Sequence, residues 1–462
     1  MQNSICTTPR CLAALLFVAV FYFLISLYVP QMSLMPTESF RAVFFQRNTS
    51  SNDALLTTST SQTSTETSST NKPVAYNINV SPNNLAKDLV NIANMNTLKD
   101  VDCRAIYSNS KSEIEKAKQI SKTVSTPLDD AFYLNLTTDC NSFVTTRGYI
   151  LSTLTKEEEE FPLAVSILVF KEVEMVERLL KAIYRPQNYY CVHVDYKSPD
   201  TFYRAVSAIA NCFPNVFLTS RRIDVQWGWF SVLEPELQCM KELWRYPKWK
   251  YFLSLTGQEF PLKTNSELVK IFTAYDGAND IEGTIKRANK ERFRSTPPLG
   301  IRPVKGSVHI TVNRDFVGYI LHNETAKILL EWVKKDTSVP DEAFFATLNH
   351  NPQLGIRGSY KGEPETDWST LKPFLTRYKN WGSSNCASGV YVRGICILSL
   401  GDLPSLGNAR HYFANKFYLS QDRVVIGCLE EKIFNDTRDE YLGVKTFDTT
   451  FYANLGFVKN KV

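Results

Sequence analysis

Several familiar signatures are missing from this chain, and each absence excludes something. No Gly-x-Gly-x-x-Gly follows its first strand-like apolar run, residues 163–170, so a standard dinucleotide site is ruled out. No Gly-x-x-x-x-Gly-Lys-Ser/Thr occurs, which removes the P-loop kinases. No Cys-x-x-Cys pair occurs, so a structural zinc site is not expected. An excess of one charge is also lacking. The net charge of +5 over 462 residues is too small to call for a nucleic-acid partner. No internal repeat stands out. The length suits one large domain or two ordinary ones.

The N-terminus carries what the rest lacks, a long uncharged run. Residues 11–29, CLAALLFVAVFYFLISLYV, hold no charged side chain. At about 1.5 Å per residue a helix of this length spans roughly 28 Å, close to a bilayer core. A cleaved signal peptide has a shorter apolar region, about 7–15 residues, closed by small residues. Here the run closes on LYVPQM. Arg10 precedes it, and the next charges are Glu38 and Arg41, so the positive-inside bias sets the N-terminus in the cytoplasm. The expectation is a membrane signal anchor at 11–29, with residues 1–10 as a cytoplasmic tail. Residues 48–73 are dominated by Ser and Thr and cannot bury enough apolar surface to fold. Residues 30–100 therefore read as a lumenal stem, and 101–462 as the folded domain.

Beyond the anchor stand Cys103, Cys140, Cys191, Cys212, Cys239, Cys386, Cys396 and Cys428. An even number in a secretory compartment suggests four disulfides, with buried free thiols as the other reading. Spacing alone leaves on the order of a hundred pairings open. Asn48, Asn79, Asn135, Asn323 and Asn435 each open an N-glycosylation sequon, which fits the same compartment; Pro82 follows the Asn79 sequon.

Residues 113–124 have helical spacing. After TKEEEEFP the pattern changes. LAVSILVF (163–170) is a short continuous apolar run, read as a buried strand. EVEMVERLLKAIY follows with helical spacing, then YYCVHVD (189–195) as a second strand ending on Asp195. TFYRAVSAIANCF reads as a helix and NVFLT as a third strand. This alternation predicts an α/β fold with a parallel sheet, whose ligands sit at the carboxyl ends of the strands. Asp195 is at such an end.

Further on, TSVPDEAFFATLNH places Asp341 and Glu342 directly behind Pro340. One reading is architectural. Proline suits the first turn of a helix, and carboxylates favour its positive end. The other is chemical: one of the two is a base aimed into a cleft.

Seven segments then occur in a telling order: FPLAVSILV, RLLKAIYRPQNYYCVHVDYKS, WKYFLSLTGQEFPLKTN, FVGYIL, PDEAFFATL, GVYVRGICILSLGDLP and FANKF. Together, from about Cys103 to about Cys428, they resemble the core-2/I-branching family of β1,6-N-acetylglucosaminyltransferases. The resemblance implies a single-pass type II Golgi enzyme with a GT-A-like domain, one half of it Rossmann-like and nucleotide-binding. The implied reaction is an inverting transfer from UDP-GlcNAc to O-glycans on glycoproteins. Such a displacement needs a base for the acceptor hydroxyl and positive charge for the departing diphosphate. By resemblance the base is Glu342, and Asp341 caps or orients.

Many GT-A enzymes hold a divalent metal with Asp-x-Asp after a strand. The only match here, Asp100-Val101-Asp102, lies beside the stem before the first strand, and reads as chance. The family dispenses with metal, so no cofactor is expected, and Arg393 and Lys416 take the diphosphate. Leu168, Asp195 and Trp227 fall at donor positions, Trp227 where vertebrate relatives have tyrosine. Glu282, Lys290, Arg292 and Trp381 fall at acceptor positions, Arg292 after a one-residue gap, and Ser383 replaces a tyrosine near Trp381. The implied disulfides are Cys103–Cys428, Cys140–Cys212, Cys191–Cys239 and Cys386–Cys396. Two other readings stay open: the same fold with another UDP-sugar such as UDP-xylose or UDP-glucose, or a membrane-tethered glycan-binding protein without turnover. The oligomeric state, a homodimer included, is not legible.

Overall fold

The computed structural model of the protein describes residues 82–123, 126–366, 372–382 and 385–462. The expected anchor, the stem up to residue 81, Asn48, Asn79 and Ser383 lie outside the described residues. Among the described residues no helix is long and apolar enough to cross a membrane.

Among the described residues six helices precede the sheet: α1 Pro82–Met95, α2 Cys103–Tyr107, α3 Lys111–Thr123, α4 Asp130–Leu136, α5 Cys140–Arg147 and a short one at Lys156–Glu160. Helix α1 falls inside the stretch expected to be stem. It buries Leu89 and Ala93 against Ile150 and Phe434, so packed structure starts before residue 101. The lone Asp-x-Asp has a local use. Asp102 caps α2, its carboxylate accepting the Ala105 N–H at 3.0 Å.

The expected alternation is present. Strands β1 Leu163–Val169, β2 Tyr189–Val194 and β3 Val216–Leu218 are separated by α6 Val173–Ile183 and α7 Asp200–Asn211. Strand β1 is apolar along its length because both of its faces are covered. Val165, Ile167 and Val169 pack with Leu179 and Leu180 of α6. Ala164 points the other way, among Phe252 and Met240. Each strand stops one residue short of its apolar run, but the Asp195 N–H still donates to the Val169 carbonyl at 2.9 Å.

The chain continues through α8 Glu234–Leu243, β4 Tyr251–Thr256, β5 Glu259–Pro261, α9 Asn265–Tyr275, β6 Asp280–Ile281 and β7 Ile310–Asn313. The six-stranded sheet has the order β3-β2-β1-β4-β7-β6. Its first four strands are parallel, and β7 runs antiparallel to both β4 and β6. The chain builds outward from β1 to β3 and then returns to place β4 on the other side of β1. Sheets of this kind hold ligands at such a reversal, outside the carboxyl ends of the strands, here those of β1 and β4. Leu168 and Thr256 are paired in register at those ends.

Helices α10 Arg314–His322, α11 Glu324–Asp336 and α12 Phe344–Asn349 follow, then β8 Arg377–Tyr378, the β9 Tyr391–Val392 and β10 Ile395–Cys396 hairpin, β11 Phe413–Asn415 and α13 Arg423–Tyr441. A second sheet, β5-β11-β8, is built from strands of two and three residues. Four disulfides are formed: Cys103–Cys428, Cys140–Cys212, Cys191–Cys239 and Cys386–Cys396. These are the pairs the resemblance implied. The first closes a span of 325 residues and ties α2 to α13, the kind of long loop whose closure most restricts an unfolded chain.

Candidate active site

The segment before Glu342 is held in an unusual shape. Val339 has φ +56°, a left-handed conformation that a β-branched residue adopts at a cost of about 1–3 kcal/mol. Its N–H donates to the Gly228 carbonyl at 3.1 Å, so the Trp227-Gly228-Trp229 loop pins it. Pro340–Glu342 then form a single 3-10 turn, and α12 begins two residues after Glu342. The two acids thus fall in the first turn of a helical segment with Pro340 at its start, as the architectural reading expected, though that segment is a 3-10 turn. Val339 leaves helical geometry just before the turn, Ala343 (φ −107°) stays in the right-handed region and joins it to α12, and α12 is only six residues long.

Glu342 is partly exposed and held by two cations. Arg292 Nη1 lies 2.9 Å from its carboxylate and Lys305 Nζ 3.6 Å. Its backbone carbonyl accepts the Gly306 N–H at 2.6 Å. Only glycine fits at 306: a Cβ there would stand 2.4 Å from the Glu282 carbonyl oxygen and 2.5 Å from the Ala346 methyl. Gly306 thus fixes the distance between the Glu282 and Glu342 segments.

Asp341 behaves differently from its neighbour. Its Oδ1 is buried without a hydrogen-bond partner. Burial, then the adjacent Glu342 charge, pushes its carboxyl up to about 7.

Beside this turn lies Lys379, brought down to about 8 chiefly by burial. It feels the charges of Glu282, Glu259 and Glu342. Its Nζ is 3.5 Å from Ser307 Oγ and 5.8 Å from the ring centre of Trp381, which is largely exposed. Below it, in the second sheet, Glu259 and Arg377 form a fully buried ion pair at 2.7 Å. Asn415 Nδ2 donates to Glu259 at 3.0 Å, and His309 Nδ1 lies 3.4 Å away. Burial, with Lys379, Arg377 and Lys416 nearby, holds the His309 imidazole well below its usual value, so that contact is with a neutral ring. Lys416 directly follows Asn415. Burial lowers its ammonium, as does the Arg393 charge, while Glu259 opposes both. Arg393, at φ +53° between β9 and β10, holds its guanidinium 5.5 Å over the Trp227 ring.

A sequence model of the Core-2/I-Branching enzyme family matches residues 163–407, more than half of the chain. The chain belongs to the Core-2/I-branching enzyme family. It is similar to the human beta-1,3-galactosyl-O-glycosyl-glycoprotein beta-1,6-N-acetylglucosaminyltransferase, 37% identical over 378 residues, 74% of this chain and 87% of the relative. It is 38% identical over 331 residues to the rat enzyme of that name numbered 3, covering 65% of this chain and 75% of the relative. A counterpart from Bovine herpesvirus 4 is 38% identical over 333 residues, with 66% and 75% covered.

For this Core-2/I-branching enzyme the sequence-selected residues fall into two groups. Glu342 and Arg292 touch directly, and Glu282 joins them through the Gly306 contact. Trp227, Arg393 and Lys416 form the second group. Gly394, next to Arg393, would set a Cβ 3.8 Å from the Trp381 ring, so Trp381 borders both. Asp195 sits at the end of β2, where its carboxylate accepts the Lys197 N–H at 2.9 Å and lies 3.4 Å from Lys197 Nζ. Leu168 is half-buried near the end of β1. Lys290 is exposed and enters no ion pair among the described residues. Asn135 and Asn323 are exposed, whereas Asn435 is half-buried inside α13, and its sequon hydroxyl, Thr437 Oγ1, donates to the Ile433 carbonyl at 2.8 Å. Sequence reasoning passed over Lys305, Gly306 and Lys379. Lys379 was within reach, two residues before Trp381 in RYKNWG.

Proposed function

We propose that this chain is an inverting, metal-independent glycosyltransferase with a GT-A-like domain, moving N-acetylglucosamine from UDP-GlcNAc in β1,6 linkage to O-glycans on glycoproteins. Membership of the family and the printed names of its relatives support the transferase class and the branching reaction. In this reading the acceptor sugar hydroxyl lies against Glu342. Glu342 takes its proton as the oxygen attacks the anomeric carbon from one face. The bond from that carbon to the diphosphate breaks on the other face, and UDP leaves with the electron pair. Arg393, a planar fork, and Lys416, a compact charge, offset the charge gathering on the diphosphate. Leu168, Asp195 and Trp227 hold the nucleotide side; Glu282, Lys290, Arg292 and Trp381 hold the acceptor sugars.

The observation that carries this reading is the Trp227-Gly228 loop. It hydrogen-bonds the strained residue just before the Glu342 turn and lies beneath the Arg393 guanidinium. One short loop thus contacts the residue that leads into the candidate base's turn and the candidate leaving-group clamp. The proposed setting is the Golgi membrane, with residues 11–29 as a type II anchor. Metal independence rests on the two cations in each other's field and on Asp102 being engaged as a helix cap.

The test is UDP release by the purified protein, with a panel of UDP-sugars and O-glycan acceptors, with and without EDTA. UDP-GlcNAc is expected to support acceptor-dependent release that survives the chelator. Release only with UDP-xylose or UDP-glucose overturns the donor. Loss on chelation restored by manganese overturns metal independence, and no release at all leaves a glycan-binding protein.

A further inference from the structure

The segment 285–305 borders Glu342 and carries charge out of proportion to the chain. It has seven Lys and Arg residues against the single Glu291, a net of +6, where the whole chain has +5. Arg292 and Lys305 lie against Glu342, and Arg302 is 3.4 Å from Glu363. The others are barely neutralised. Lys286 and Arg287 come only within 3.9 Å of Glu365 and 3.7 Å of Glu282, with side chains 80% and 65% exposed. Lys290 and Arg294 are exposed and enter no ion pair among the described residues. Asp336 adjoins the segment through its backbone, its carbonyl accepting the Arg294 N–H at 2.8 Å.

These charges are not on a loose tail. The Ser338 N–H donates to the Arg292 carbonyl at 2.8 Å, three residues before Asp341. Phe293 stacks on Trp332 of α11 with ring centres 5.8 Å apart and planes 12° from parallel. Holding four exposed cations, Lys286, Arg287, Lys290 and Arg294, together on a fixed rim is unfavourable unless something negative visits it.

We propose that this basic rim docks the acidic polypeptide of the acceptor glycoprotein, an extended segment with several Asp or Glu beside the glycosylated Ser or Thr. The proposal rests on the transferase reading and specifies its acceptor. Charge complementarity carries it: four exposed cations fall within the nine residues from Lys286 to Arg294. A run of separated positive groups matches carboxylates repeated along a chain at about 3.3 Å per residue better than one isolated acid. Exposed pairs are individually weak, and their combined effect falls mainly on encounter and on salt dependence.

The experiment compares the full-length protein with Lys286→Gln/Arg294→Gln, two positions outside the catalytic and sugar-binding groups. Four acceptors carry the same O-glycan: the free glycan, a neutral glycopeptide, an acidic glycopeptide, and the neutral glycopeptide with a neighbouring sialylated glycan. At low salt the wild-type protein is expected to favour the acidic glycopeptide in kcat/KM. The advantage should shrink as ionic strength rises toward about 0.5 M. The double variant should lose roughly 3- to 30-fold on the acidic glycopeptide and keep wild-type rates on the neutral ones. Equal wild-type rates on acidic and neutral peptides, equal losses on both in the variant, or an advantage that follows sialic acid instead of the peptide would each overturn the proposal. Absence of turnover on every acceptor, the free glycan included, sinks the transferase reading itself and the proposal with it.

Discussion

Replacing Asp341 by Asn removes a buried charge and nearly keeps the side chain's shape. Asp341 is 6% exposed, and its carboxyl is pushed from 3.8 up to about 7 by burial and by Glu342 beside it. The folded protein therefore keeps this proton to about pH 7, while the unfolded chain releases it near 3.8. Between those values the folded state binds more protons, so stability must fall as pH rises. The group's contribution is full below about pH 4 and gone above about pH 7. At roughly 1.4 kcal/mol per pH unit, the span from 3.8 to about 7 amounts to roughly 4 kcal/mol. That is an upper bound, because the neighbouring Glu342 side chain is 28% exposed and admits water. Asn does not titrate. Asp280, Glu236 and Glu440, which burial also raises, to about 7, 8 and 7, are common to both proteins and cancel in the comparison. Thermal unfolding of wild type and Asp341→Asn across this pH range reads the difference directly. The variant should gain on the wild type steadily as pH rises. A stability difference that stays flat with pH would refute the burial argument.

Two further perturbations follow from the same geometry. Gly306→Ala drives a methyl into the Glu282 carbonyl and Ala346, which costs about 1–3 kcal/mol by overpacking. It also displaces the Glu342 backbone; a shift of about 1 Å at a catalytic group costs on the order of 10²-fold in rate. Wild-type kcat in a folded Gly306→Ala protein contradicts the spacer role. Glu259→Gln leaves Arg377 buried without its counter-charge, so the denaturant midpoint should fall by the equivalent of about 3–5 kcal/mol. A shift too small to resolve means the pair is dispensable.

The parts of the fold legible in the sequence are those whose signal is local. LAVSILV and YYCVHV announce buried parallel strands because both of their faces are covered, so no polar alternation interrupts them. Asp195 at a strand end followed from that. The β5-β11-β8 sheet was invisible, since strands of two or three residues carry no period. Lys305 meets Glu342 across 37 positions of chain, and only the fold brings them together. The Asp341–Glu342 pair was read as a helix start from Pro340. The turn itself was legible; the left-handed Val339 ahead of it was not, and its N–H is bonded to the distant Gly228 carbonyl, a contact no local rule contains. Asp341 and Glu342 are adjacent acids in sequence; burial of the first and the Arg292 and Lys305 contacts of the second set them apart.

The most direct test is turnover and UDP binding measured side by side on Glu342→Gln. If this side chain takes the acceptor proton while Arg393 and Lys416 hold the diphosphate, the variant should bind UDP as the wild type does. Its kcat should fall by at least about 10²–10⁴-fold. Near-normal turnover, or loss of UDP binding together with turnover, would contradict the division of labour between the two groups of residues.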